Sequence, residues 1–332
     1  MGNGLWSTKT YEQGTQAKIR SGSAFAYDAH TRRSGNYKAH EDLDPSKAIP
    51  SAGPLAGKVV RESRDSDEHP NSTPIFIGFD STGSMGFVPR VVQEKLKTVF
   101  GLIMEKQYAP DPQVAVATYG DAWVDRVPLQ VSQFESDNRV DDNLDKMFLE
   151  GGGGGNGGET ASLMLYFAAH HTSTDSVEKR GKKGYLFFVA DETMLDITPA
   201  HVERHIGAKP FETGEMPSLA LEDIATAVQE KYEVVILLID NLSARMQGSH
   251  EHYSRLFGAD HVLAVEDPDM IAETIASLVG MFEGRDQTTV EDDLVASGVS
   301  KDVAVRVTTQ VMANGVRAEN TTLTATGAAD RF

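Results

Sequence analysis

Three oxygen-bearing side chains stand two residues apart in Asp80-Ser81-Thr82-Gly83-Ser84. A carboxylate followed by hydroxyls at the second and fourth positions offers hard oxygen donors from one short stretch of backbone. Such donors suit a divalent cation that prefers oxygen. The chain has no cysteine, so disulfides and thiolate chemistry are excluded and any metal must take oxygen or imidazole.

The residues on either side must position this chemistry. Ile75-Phe76-Ile77-Gly78-Phe79 is apolar almost throughout and reads as a strand buried on both faces. After Pro89, the stretch from Arg90 to Lys106 reads as a helix with Val91, Val92, Leu96, Val99, Phe100 and Ile103 on one side. This strand–turn–helix joint puts Asp80, Thr82 and Ser84 at the C-terminal edge of a sheet, where open α/β folds bind ligands. Further strands are expected at Gln113–Asp121, within Val127–Phe134, at Tyr185–Ala190, Glu233–Asp240 and His261–Val265. Helices are expected over Val140–Leu149, Glu159–His171 (core face Leu163, Met164, Phe167, Ala168), Pro199–His205, Leu219–Tyr232, His250–Leu256 and Pro268–Phe282. Alternating units of this kind predict a doubly wound, mostly parallel sheet flanked by helices. Gly151 to Gly158, broken only by Asn156, is a loop whose glycines permit unusual backbone angles near a ligand.

Asp80-Ser81-Thr82-Gly83-Ser84 resembles the Asp-x-Ser/Thr-x-Ser signature of von Willebrand factor A domains, whose metal-ion-dependent adhesion site holds magnesium. That family draws further ligands from two more loops. Gly157-Gly158-Glu159-Thr160 is similar to its second loop, and Asp191, at the end of Tyr185–Ala190, matches its third. The resemblance covers about residues 72 to 284 and implies metal ligands Asp80, Thr82, Ser84, Thr160 and Asp191. It implies Mg2+, or Mn2+ or Ca2+ in its place, with one coordination position left for an acidic side chain of a protein partner. The function implied is protein binding rather than catalysis, with an AAA+ ATPase as a partner class. Two departures stand out: Glu159 lies beside Thr160, and Glu192 replaces the usual glycine. Either carboxylate can join the metal's surroundings, where extra negative charge would tighten the cation and weaken its pull on a partner. Asp121 has two readings, a group behind the metal ligands or a turn residue.

A second resemblance keeps an enzyme reading open. The same Asp80 loop is similar to the phosphorylation loop of haloacid-dehalogenase-like phosphotransferases, with Asp191, Glu192 and Asp196 as further acidic groups and Lys183 as the phosphate-binding lysine. Against it, position 81 lacks the ion pumps' lysine, position 82 lacks the phosphatases' second aspartate, and Lys183 falls at the start of its strand. No Gly-x-x-x-x-Gly-Lys-Ser/Thr phosphate loop occurs. Arg180-Gly181-Lys182-Lys183 reads as a phosphate site or a solvated basic turn, and His250-x-His252 as a transition-metal pair or an exposed helix face. His171, at helical spacing from Phe167, reads as a satisfied boundary residue.

Composition narrows the partners. A net charge of −18 over 332 residues argues against nucleic acid and anionic membranes. No apolar run reaches the length of a membrane span, and the N-terminus lacks a secretory leader's layout. Trp6 occupies the position where a myristoylation signal needs Ser or Thr, so the expected location is the cytoplasm. Residues 1–71 are polar and read as an extended, partly disordered arm, docking through Leu5-Trp6 and Ala24–Tyr27 and lending a short edge strand from Val59–Asp65. Residues 285–332 read as a short helical appendage, around Val290–Ser297 and Lys301–Met312, followed by a disordered tail.

Overall fold

The computed structural model describes residues 5–11, 13–14, 26–48, 57–86, 88–151, 157–207, 216–239 and 244–315. Expectations for Ala24 and Phe25, Asn156, Asp240 and the terminal tail lie outside them, as does the side chain of Leu96.

Ten strands are present among the described residues: β1 (Arg61–Ser63), β2 (Thr73–Asp80), β3 (Pro112–Tyr119), β4 (Leu129–Val131), β5 (Gly158–Glu159), β6 (Thr172–Thr174), β7 (Gly184–Ala190), β8 (Thr193–Met194), β9 (Tyr232–Ile239) and β10 (Val262–Val265). The helices are α1 (Ala26–Ser34), α2 (Val88–Phe100), α3 (Arg139–Asp145), α4 (Ala161–His170), α5 (Asp175–Arg180), α6 (Pro199–His205), α7 (Leu221–Lys231), α8 (Ala244–Phe257), α9 (Ile271–Phe282), α10 (Gln287–Ala296) and α11 (Lys301–Ala313). Six strands form the main sheet in the order β10-β9-β7-β2-β3-β4, parallel except for β4. This is the α/β architecture expected from the alternating units.

The long strands are apolar on both faces because each face carries its own core. In β2, Ile75, Ile77 and Phe79 enter one core and Phe76 the other; in β7, Tyr185, Phe187 and Val189 divide in the same way from Leu186, Phe188 and Ala190. The first core is closed by α2, α9, α10 and α11, and the second by α4, α6, α7 and α8. Gly78 lets α4 approach closely, since a Cβ there would lie 2.2 Å from the Met164 sulfur. The core face expected for α4 was too narrow: every residue from Ala161 to Ala169 is buried, because the helix is enclosed by the sheet and α7.

Three further differences have local causes. The segment Val127–Phe134 is strand only over β4, since Pro128 has no N–H for a ladder; its carbonyl instead accepts from Gly120 N at 3.1 Å. The α2 helix passes into a π turn over Gly101–Glu105, so Ile103 is buried from that turn. Finally, β1 does not extend the main sheet. It pairs in parallel with β6, and the buried Arg61 guanidinium donates to the carbonyls of Val131 (3.2 Å), Lys47 (3.1 Å) and Asp44 (3.0 Å). Before β1, Trp6 is 8% exposed, with its ring 5.1 Å from Phe100 and 5.4 Å from Tyr11.

Candidate metal centre

The chain runs from β2 to β3 on one side, then returns to place β7 on the other side of β2. The connection after β2 leads into α2 on the first core, whereas the connection after β7 leads to α6 and α7 on the second. The crevice between two such strand ends is where an open sheet binds its ligand. Asp80 ends β2, and Asp191 directly follows β7.

Asp80 is 1% exposed. Its Oδ1 accepts from the Thr82 N–H at 2.6 Å, which folds the chain back and sets Thr82 above the strand end. Its Oδ2 is buried and has no hydrogen-bond partner among the described residues. Burial pushes the Asp80 carboxyl up to about 8; the Thr82 N–H and hydroxyl oppose the shift, and Asp191 and Asp125 reinforce it. The Thr82 and Ser84 hydroxyl oxygens lie 3.0 Å apart, with Thr82 buried and Ser84 exposed. The two hydroxyls share a hydrogen bond at that distance, which is also close to the separation of about 2.9 Å between neighbouring oxygens of a magnesium octahedron.

The loop after β3 connects the remaining pieces. Ser81 N donates to Tyr119 O at 2.9 Å, carrying the β2–β3 pairing past the strand end. Thr160 reaches Gly120 O twice, through its N–H at 3.0 Å and its hydroxyl at 2.7 Å, and that hydroxyl also accepts from Ala122 N at 2.9 Å. A Cβ on Gly120 would lie 2.4 Å from Asp125 Oδ2 and 3.4 Å from the Thr82 methyl, so Thr82 of the first loop and Asp125 approach each other across this glycine. Asp121 is wholly buried, precedes the turn over 122–124 and accepts from Trp123 N at 2.9 Å. Thus Asp80, Thr82, Ser84 and Asp191 are gathered at one edge, with Thr160 behind Gly120 and its hydroxyl already engaged twice.

Asp125 was missed from the sequence. It accepts from Asp121 N at 2.7 Å, and burial pushes it up to about 6, with Glu150 and Asp121 adding to the shift and the Asp121 N–H opposing it. The signal was its spacing of four from Asp121, on a turn with no apolar period. Glu159, in β5, is buried and is pushed up to about 9 by that burial, with Asp80, Asp125, Asp121 and Glu192 all acting in the same direction.

The other candidates lie elsewhere. Lys183 precedes β7, at the opposite sheet edge from Asp80, and stands 3.7 Å from Glu233. Arg180 and Lys182 are engaged by Asp65 (2.7 Å) and Glu283 (2.6 Å). His171 Nδ1 lies 2.9 Å from Val59 O, and His250 Nδ1 lies 3.3 Å from Ser254 Oγ. Among the described residues no three histidine, aspartate or glutamate side chains close on one point. A cation at the Asp80 edge would therefore depend on hydroxyl and water oxygens as well as carboxylates. The donor types, the paired hydroxyls and the orphaned Asp80 Oδ2 all fit such an ion. Beside them a cavity of about 460 Å³ opens, lined by Ser81, Thr82, Gly83 and Gly151 and, from α1, Asp28 and Arg32.

No protein-family model matches the chain, and neither does any curated protein. Solved structures with some likeness include the open conformation of the pilus adhesin SpaC from Lactobacillus rhamnosus GG (TM-score 0.43, 10% identity, 70% of this chain and 31% of that one). Proximal thread matrix protein 1 from the mussel byssus is another (0.41, 11%, 64% and 46%), and a structure of it with a zinc-occupied MIDAS motif gives 0.42 at 13% identity over 64% and 45%. This chain spans less than half the length of these proteins. At such scores the likeness carries no argument.

Proposed function

We propose that the chain is a metal-dependent protein-binding module of the von Willebrand factor A type, its domain spanning residues 72–284 between two flanking segments. The observation that carries this reading is the buried Asp80 Oδ2, which lacks a partner beside two hydroxyl oxygens 3.0 Å apart at the sheet's switch point. In this reading Asp80, Thr82, Ser84 and Asp191 hold the ion and Thr160 supports them from the second loop. The ion is Mg2+, with Mn2+ or Ca2+ able to replace it, and when bound it supplies a Lewis-acidic position for one outside oxygen. An acidic side chain of a protein partner suits that position. An AAA+ ATPase in the cytoplasm belongs to the same proposal. Among the described residues no helix is long and apolar enough to cross a membrane. The phosphotransferase alternative would need Lys183 beside Asp80, and the sheet separates them.

The test is protein capture on the immobilised chain in Mg2+, in EDTA and with Asp80→Ala. Partners held in Mg2+, released by EDTA and absent from the variant support the reading. Partners indifferent to both would contradict it.

A further inference from the structure

We propose that Glu159 is an additional anionic member of this metal site, one that strengthens cation binding before any partner arrives. The proposal rests on the metal reading above.

The glutamate is held in place by its backbone. β5 pairs with β8 in the register Gly158↔Thr193 and Glu159↔Met194, and Glu159 O accepts from Leu195 N at 2.8 Å. A Cβ on Gly158 would lie 2.6 Å from the Thr193 carbonyl oxygen, so the second loop lies directly against the segment that follows Asp191. The side chain held this way is 6% exposed, and its Oε2 has no hydrogen-bond partner among the described residues. The titratable groups that act on it are Asp80, Asp125, Asp121 and Glu192, all of them carboxyl groups. A structural carboxylate would be expected to stitch loops together through hydrogen bonds or to face a lysine or arginine. Glu159 instead buries an unsatisfied oxygen at the sheet edge that carries Asp80 and Asp191, where a divalent cation would neutralise it.

Three carboxylates do not close on one point here, so Glu159 acts through charge across the site rather than as a third converging ligand. With a cation bound, Glu159 would add its charge to those of Asp80 and Asp191 at the same sheet edge. The ion is then retained without help from outside, and its pull on a partner's carboxylate is moderated.

The experiment compares the full chain with Glu159→Gln and Asp80→Ala, using Mn2+ alone as the probe. Binding is followed by loss of the free-Mn2+ EPR signal, and melting is recorded in Mn2+ and in EDTA. Glu159→Gln should raise the Mn2+ Kd by about 10- to 100-fold. In EDTA it should melt no lower than the unmutated chain, because it removes a carboxyl that only a cation satisfies. A Kd within about two-fold of the unmutated value, or an equal fall in melting temperature in both conditions, would overturn the proposal and leave the metal site standing. Absence of Mn2+ binding by the unmutated chain would instead overturn the metal reading and this proposal with it.

Discussion

Thr160 grips Gly120 through two bonds to a single carbonyl oxygen, from its N–H at 3.0 Å and from its hydroxyl at 2.7 Å. The same hydroxyl accepts the Ala122 N–H at 2.9 Å, so the second loop is fastened to the turn after β3.

That attachment changes what a Thr160 substitution should do. Thr160→Val keeps the shape but strips the buried Ala122 N–H of its acceptor, at a cost of about 1–3 kcal/mol. Thr160→Ser keeps the hydroxyl and loses only a buried methyl, at about 0.8 kcal/mol, so it should be the less damaging of the two. Urea midpoints measured in EDTA check the pair. If Val and Ser are equally stable, the hydroxyl's bonds to the loop contribute nothing.

The Asp80 loop was legible because everything about it is local: an apolar strand, a carboxylate, hydroxyls at the second and fourth positions, then an apolar helix face. Asp191 was legible for the same reason, as the residue after a buried strand. The pair of hydrogen bonds from Thr160 to Gly120 was not, because they join residues 40 apart through a backbone carbonyl that carries no sequence signal. The pairing of β1 with β6 was hidden likewise: three polar residues, Arg61-Glu62-Ser63, form a strand only because a distant segment and the buried Arg61 hold them.

The N-terminal segment is tied to the first core through Trp6. Its ring lies 5.1 Å from Phe100, and Ser7 and Asn138 exchange two hydrogen bonds of 3.0 Å. Trp6→Ala should lower stability by about 3 kcal/mol, as a buried aromatic truncation does. A change below roughly 0.5 kcal/mol in the denaturant midpoint would mean that the docking contributes little.

Acid sensitivity should involve His171. Burial pushes its pKa down to about 4; the Val59 carbonyl opposes the shift, and Lys231 and Arg61 add to it. The unfolded chain binds a proton near 6.5 that the folded chain refuses until about 4. Stability from this group is therefore complete above 6.5 and falls as pH drops from 6.5 toward 4, by an amount on the order of 1–3 kcal/mol. Unfolding curves at pH 7 and pH 5 should show a smaller difference for His171→Gln than for the parent. An unchanged difference would remove His171 from the explanation.

The central claim is that Asp80 holds a divalent cation with its neighbouring hydroxyls. The most direct measurement is a Mn2+ titration of the chain and of Asp80→Ala, read from the free-ion EPR signal, with folding of both checked by circular dichroism. One bound Mn2+ per chain is expected, displaced by Mg2+ and absent from the folded variant. An unmutated chain that leaves all Mn2+ free, or an Asp80→Ala variant that binds it equally well, would contradict the account.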